Sequence, residues 1–366
     1  MTVARISALR ALLDERAIDA ALISRTANKR YFSGFRLGDA EGAMSGFAGT
    51  LLVTRDVTLL VADSRYTEQA ATEAPGWEIV ATTGPIQEEL PRLLLRYRIE
   101  ALGMEAAVVT HADWTAVAEA APGVELHAID DELVPLRIRK STEEVAAIGR
   151  ACALTDACLG HLVEFVRAGM TEREVAWELQ RWFRVNGAEG LAFEPIVLAG
   201  ARAAMPHGRP SETPVERGNV LLIDFGCTID GYRSDLTRTL FVGDVSADVR
   251  RWHDAVREAQ QAAIDAIAVG VNGQDLDAIA RRRIEAEGVE PYGHGLGHGI
   301  GLETHEPPRV RKSEASTLEA GMVFSVEPGI YVPGVAGIRI EDIVALEASG
   351  PRLLTNAPRE ALVIGR

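Results

Sequence analysis

The stretch YGHGLGHGIGLETHE, Tyr292 to Glu306, holds three of the chain's eight histidines, with glycine at every odd position from Gly293 through Gly301. Glycine at that density suggests a phosphate cradle, and the histidines suggest a metal site. The phosphate motifs fail: alternate glycines leave no G-x-G-x-x-G register, and G-x-x-x-x-G-K-[ST] does not occur. What remains is strict alternation. His294, Leu296, His298, Ile300 and Leu302 share one parity, so an extended backbone puts them on one face. A helix is disfavoured because each glycine costs it about 1 kcal/mol. Glycine on the opposite face predicts close approach of another backbone. His305 has the other parity, but the chain can turn before Pro307-Pro308. A fourth histidine, His207 in AAMPHGRP, sits between helix and strand signals, where loops carry function.

Acids elsewhere supply a partner for these imidazoles. GNVLLIDFG (Gly218–Gly226) and GMVFSVEPG (Gly321–Gly329) align at a shift of 103 residues, which puts Asp224 on Glu327. Each is followed by a second apolar run with its own acid, Asp235 in YRSDLTRTL and Glu341 in GIRIEDIVAL. A pseudo-twofold domain with an acidic hairpin in each half accounts for both. In the first half a two-residue turn at Asp230-Gly231 makes Ile229 face Tyr232 and Gly226 face Asp235. Asp224 is then on the same sheet face as Asp235 and diagonal to it, ~7–8 Å away between backbones. A buried carboxylate is costly unless paired or coordinated. Glu327 and Glu341, around Tyr331–Gly337, are expected to be arranged similarly. Four carboxylates carry −4 and two divalent ions carry +4, so such a cluster is neutral when loaded. Oxygen donors with a single imidazole suit manganese better than a thiolate-type zinc site does, with cobalt and zinc as the other candidates.

Composition bounds the alternatives. Lys and Arg total 38 against 53 Asp and Glu, a net charge of −15, which argues against a nucleic-acid or anionic-membrane surface. Three sparse cysteines, Cys152, Cys158 and Cys227, contain no CxxC and predict neither a disulfide framework nor a thiolate zinc site. The N-terminus lacks the apolar core of a signal peptide, and no window has the ~18 apolar residues of a membrane span. A soluble cytoplasmic protein is expected.

At 366 residues the chain exceeds the ~250–300 of one growing core, so two domains are expected. The first third alternates helix and strand patterns: a helix near Val3–Arg16, a strand at Ala20–Ser24, two strands turning at Arg55-Asp56, then signals around Trp77–Ala81, Pro85–Tyr97, Ala101–Met104 and His111–Ala120. Ser141 with Glu144, then Thr171 with Glu174, are capping boxes that open two helices. Helices near Ser246–Val269 and Gln274–Glu287 alternate with strands. The expectation is an α/β N-terminal domain over residues 1–135 and an α+β domain over 136–366.

The order Asp224, ten residues, Asp235, then His298, 28 residues, Glu327, 13 residues, Glu341 resembles the dinuclear site of the pita-bread metallopeptidases. The branch it resembles is that of Xaa-Pro aminopeptidase and prolidase. The motifs LLIDFG, YRSDLTRT, GHGIGLETHE, SVEPGIY and GIRIEDI carry the likeness from about Leu136 to the C-terminus. YFSGF and LLVADSRYTEQA carry it into a creatinase-like N-terminal domain. The resemblance implies that Asp224 binds one ion, His298 and Glu327 the other, and that Asp235 and Glu341 bridge both. It also implies Glu327 as general base, His207 and His305 near the scissile carbonyl, and His294, Arg339 and Tyr331 around the substrate. It implies a homodimer, two divalent ions per chain and hydrolysis of the bond before proline in proline-containing peptides.

An Xaa-Pro aminopeptidase is the first reading, and a prolidase restricted to dipeptides is the alternative. The acidic, glycine-rich segment Arg36–Gly46 bears on that choice: Asp39 or Glu41 is placed to meet a substrate ammonium if the segment folds over a partner's site. The short interval from Glu327 to Glu341 and the extra N-terminal domain disfavour a methionine aminopeptidase. A metal-free creatinase-like C–N hydrolase or a non-catalytic binding module is disfavoured because all five ligand types are present.

Overall fold

The computed structural model describes residues 2–37 and 49–365, in two compact units that divide between Arg137 and Ile138. Residues 38–46 of the acidic segment Arg36–Gly46, with Asp39 and Glu41, lie outside the described residues. No helix of the described residues is long and apolar enough to cross a membrane.

The first unit alternates as its sequence predicts. Helices α1 (Thr2–Glu15), α2 (Thr26–Ser33), α3 (Thr67–Glu73), α4 (Ile86–Tyr97), α5 (His111–Ala120) and α6 (Asp130–Ile138) accompany six strands. The strands are β1 (Ala20–Ile23), β2 (Thr50–Thr54), β3 (Thr58–Asp63), β4 (Glu78–Thr82), β5 (Ala101–Met104) and β6 (Glu125–Ala128), in one mixed sheet of order β4-β3-β2-β1-β5-β6. Central strands β1 and β2 are buried at every position, the mark of a sheet covered on both faces. That is why AALI and TLLVT read as continuous apolar runs rather than alternating ones.

The second unit begins with α7 (Thr142–Phe165) and α8 (Glu172–Val185), each opened by the capping box its sequence announces, Ser141 with Glu144 and Thr171 with Glu174. There follow β7 (Gly190–Leu191), β8 (Ile196–Ala199), β9 (Val220–Phe225), β10 (Cys227–Ile229), β11 (Tyr232–Arg233) and β12 (Leu236–Val242). The second half repeats the plan: α9 (Ala247–Asp265), α10 (Gly273–Glu285), β13 (Gly297–Gly299), β14 (Glu306–Val310), β15 (Val323–Val326), β16 (Gly329–Val332), β17 (Ala336–Arg339) and β18 (Asp342–Glu347). Strands β19 (Gly350–Leu353) and β20 (Val363–Ile364) finish it. The main sheets are β20-β12-β9-β8 and β14-β13-β15-β18-β19, so the mixture of helix and strand is α+β.

Strand β9 shows how the fold positions an acid. Leu221, Ile223 and Phe225 pack into a cluster with α7 and α8, whereas Val220 and Leu222 pack into a second cluster with α9 and α10. Burying each such side chain contributes about 1.5–3 kcal/mol, so both faces fix the strand's orientation. Asp224 has the parity of Val220 and Leu222 and is carried to the end of that second face.

Register decides which acids meet. Thr228 pairs with Arg233 and Phe225 with Leu236, so continuity places Gly226 opposite Asp235, with Asp224 opposite Thr237. This is the diagonal relation that a turn at Asp230-Gly231 predicts. The second hairpin is not its copy. Gly329 pairs with Arg339 and Val326 with Asp342, which puts Glu327 directly opposite Glu341. The place of Asp235 is therefore taken by Arg339, and the place of Glu341 in the first half by Thr237.

Candidate functional site

The alternating glycines do what their spacing suggests. A Cβ on Gly297 would lie 1.9 Å from the Ser325 carbonyl oxygen, and one on Gly299 would lie 2.1 Å from that of Pro307. Backbones of β13, β14 and β15 thus approach closely around His298. Regular strand covers only Gly297–Gly299, and His294 lies before it, yet both histidines line one cavity of about 940 Å³. The same cavity is lined by Asp224, Asp235, Glu327, Glu341, Arg339, His305 and His207. Tyr331 reaches the site through hydrogen bonds instead: Arg339 Nη1 donates to its hydroxyl (2.8 Å), which lies 2.9 Å from His294 Nε2.

Asp235, His298 and Glu341 each offer a ligand atom within 4.8 Å of the other two. His298 Nε2 is 3.3 Å from Glu327 Oε1 and 3.8 Å from Asp235 Oδ2. Its Nδ1 is 3.1 Å from the Gly299 carbonyl, and a proton held there leaves Nε2 facing the acids with its lone pair. Asp224 accepts from Arg339, and Glu341 accepts from the Thr237 hydroxyl at 2.7 Å. Three oxygens, Asp224 Oδ1, Asp235 Oδ1 and Glu341 Oε1, are buried with no hydrogen-bond partner.

Three buried acceptors converging without donors fit a cation and little else. The electrostatics agree. Burial first, then the neighbouring acids, push Asp235 and Glu341 well above the carboxylate range, and burial raises Asp224 against the pull of Arg339. Glu327 differs. Burial would raise it, but the hydrogen bond and charge of His298 prevail and hold it at about 2. Reciprocally, burial lowers His298 while Glu327 lifts it, with a net rise. Arg339 sets the four acids at −3 rather than the −4 counted from the acids alone.

The histidines separate by environment. Burial lowers His294, whose ring stacks 4.9 Å from Tyr292. His305 is only partly shielded from solvent, with its ring 4.2 Å from that of His298, and that partial desolvation, then the charge of His298, bring it down to about 4. Both remain neutral near pH 7, so either can offer a lone pair or one N–H. His207 stands on an exposed turn.

Sequence reasoning overlooked three contributors. Thr237 accepts from Arg339 Nε at 3.1 Å while donating to Glu341; counting the register of the Asp230-Gly231 hairpin back to Asp224 would have found it opposite that acid. Ser325 Oγ receives the His298 N–H and donates to Glu327 Oε1 at 3.2 Å. Arg309, half-buried on β14 opposite His298, lines the cavity, and no motif announces it.

A carboxylate and imidazole centre at the junction of two similar halves is the site of a metallopeptidase built on the pita-bread fold. Profile comparison agrees: metallopeptidase family M24 matches residues 146–348, and the creatinase/prolidase N-terminal domain matches residues 5–139. The chain belongs to metallopeptidase family M24. It is 36% identical over 360 residues to the Xaa-Pro dipeptidase of Pyrococcus furiosus, covering 98% of this chain and 99% of that one. Among solved structures it is similar to the Xaa-Pro dipeptidase from Bacillus anthracis (TM-score 0.93, 35% identity, all of both chains). It is also similar to the X-Pro aminopeptidase from Thermotoga maritima (TM-score 0.87, 38% identity, 95% and 98% of the chains).

Proposed function

We propose that this chain is a dinuclear Xaa-Pro dipeptidase. The observation that carries the metal assignment is the convergence of three partnerless buried carboxylate oxygens on His298. Asp224, Asp235, His298, Glu327 and Glu341 would hold two divalent ions, with Asp235 and Glu341 shared. Manganese suits this oxygen-rich set first, and cobalt and zinc follow. Ions bound there would supply a nucleophile from water at neutral pH and Lewis-acid polarisation of a carbonyl.

The chain's own groups do the rest. Glu327, held ionised, is the general base. His207 and His305 face the scissile carbonyl and the departing proline nitrogen. Arg339 fixes Asp224 and, through Tyr331, the His294 ring that lines the proline side. Proline has no N–H and a locked ring, so recognition must come from a shaped wall rather than from backbone pairing.

The dipeptidase reading takes precedence over the aminopeptidase reading on two grounds. Relatives alike over nearly their whole length include several named Xaa-Pro dipeptidase. In addition, Arg309, opposite His298, carries a cation into the cavity. A guanidinium there suits the carboxylate that directly follows proline in a dipeptide and is absent from that position in longer peptides.

The test compares an Xaa-Pro dipeptide, its C-terminal amide and an Xaa-Pro-Xaa tripeptide on metal-loaded protein. Rapid cleavage of the free dipeptide alone is expected, and Arg309→Met should raise KM for the dipeptide about 10- to 100-fold, as loss of a charge-assisted pair does, leaving the slow amide unchanged. Equal turnover of the tripeptide would return the aminopeptidase reading. No cleavage after loading with manganese, cobalt or zinc would remove both.

A further inference from the structure

The ring of His207 stands on an exposed turn, so its position rests on the backbone that carries it. That backbone, residues 200–210, leaves the end of β8 as a short 3-10 turn, Gly200–Ala204, and then turns again so that the Gly208 N–H donates to the Met205 carbonyl at 3.0 Å. Both ends of the segment meet one buried side chain, Glu172, the first residue of α8.

The Glu172 carboxylate has no solvent exposure. Its Oε1 accepts from the Ala199 N–H at 2.8 Å, on one side of the segment. Its Oε2 accepts from the Ser211 N–H at 2.8 Å and the Ser211 hydroxyl at 2.7 Å, on the other side. Arg202 Nε, inside the segment, donates to both oxygens at 3.0 and 3.1 Å, and Arg202 Nη2 donates to the Arg209 carbonyl at 2.8 Å. Every partner is a donor. An ionised carboxylate is acceptor-only, so no other side chain of this length satisfies the pocket. The segment is also seated from beneath: a Cβ on Gly337 would lie 1.8 Å from the Ala203 carbonyl oxygen, on the strand that carries Arg339.

Capping α8 does not explain this arrangement. Thr171 and Glu174 already form the capping box of that helix. The carboxylate of Glu172 turns instead to the segment on which His207 stands.

We propose that Glu172 is a positioning residue that fixes His207 relative to the carboxylate centre by clamping both ends of its segment. The proposal rests on the reading that His207 handles substrate. Glu172→Gln keeps the shape but turns an amide NH2 toward donors. In the metal-loaded enzyme we expect full metal content and a kcat lower by about 10- to 100-fold, the scale of loss from a small misplacement remote from the chemistry.

A double-mutant cycle separates positioning from general stability. His207→Ala combined with Glu172→Gln should be no slower than His207→Ala alone, and the His207 ring proton resonance, identified by its loss in His207→Ala, should shift in Glu172→Gln. Losses that multiply, an unmoved resonance, or an unchanged kcat in folded, loaded Glu172→Gln would each overturn the clamp while leaving the role of His207 intact. Normal activity of His207→Ala would overturn the role of His207 and the clamp with it. Should Glu172→Gln fail to fold, Arg202→Met removes the donor inside the segment from a half-buried position and is read by the same cycle.

Discussion

Asp235 has one carboxylate oxygen 3.8 Å from His298 Nε2 and the other buried without a partner, while Glu341 and Asp224 both raise its pKa on top of burial. A residue so placed opposes folding of the metal-free chain and favours the loaded one, because metal binding requires the deprotonated ligand. Asp235→Ala should therefore lose at least one ion per chain, counted by mass spectrometry of the dialysed protein. Retention of the full metal content would contradict its assignment as a shared ligand. Asp235→Asn should melt at a higher temperature than the parent when both are chelated at pH 7.5, since it removes a group that can fold there only by burying a charge among acids or by taking up a proton. His298 shows the complementary logic: one acid, Glu327, offsets the burial that would otherwise keep the imidazole from gaining a proton.

Elements bring these residues together through close backbone contact, and glycine is what permits it. Gly297→Ala would set a methyl 1.9 Å from the Ser325 carbonyl, so β13 must move away from β15 and take His298 with it. Overpacking of this kind costs typically 1–3 kcal/mol. The expected outcome is a lower urea midpoint together with weaker metal binding by calorimetry; a drop in stability with unchanged metal affinity would show that β13 does not set the ligand. The glycine alternation was legible because it is a local pattern. The first acidic hairpin was legible too, since a two-residue Asp-Gly turn fixes its register by counting. The second was not: three residues, Pro333 to Val335, separate β16 from β17, so pairs there differ by an even number and Glu327 falls opposite Glu341. Arg309 and Glu172 were illegible for another reason. Their meaning depends on which strand or loop the fold lays beside them, and neither stands in a motif.

Across the molecule, a chain of net charge −15 tends to gain from mild acidification as its self-repulsion falls, which makes a group with the opposite trend diagnostic. His253, on α9, is 2% exposed, its ring packs edge-on to Phe241 at 5.2 Å, and its Nδ1 has no partner. Burial, helped by Arg257 and Arg238 and opposed by Asp254 and Glu360, brings its pKa down to about 4 from the ordinary histidine value of 6.5. The folded state thus binds this proton less readily than the unfolded state does. The sign follows from linkage: the neutral ring's contribution is fully present above about pH 6.5 and is lost as pH falls through about 4. The loss is at most about 3 kcal/mol by that shift. His253→Leu keeps an apolar body of similar size and removes the titration. The urea midpoint of the parent should fall further than that of the variant as pH is lowered from 7.5 to 4.5. Parallel pH profiles would mean that His253 takes up its proton without disturbing the packing of α9, and that the acid sensitivity of this unit lies in its carboxylates instead.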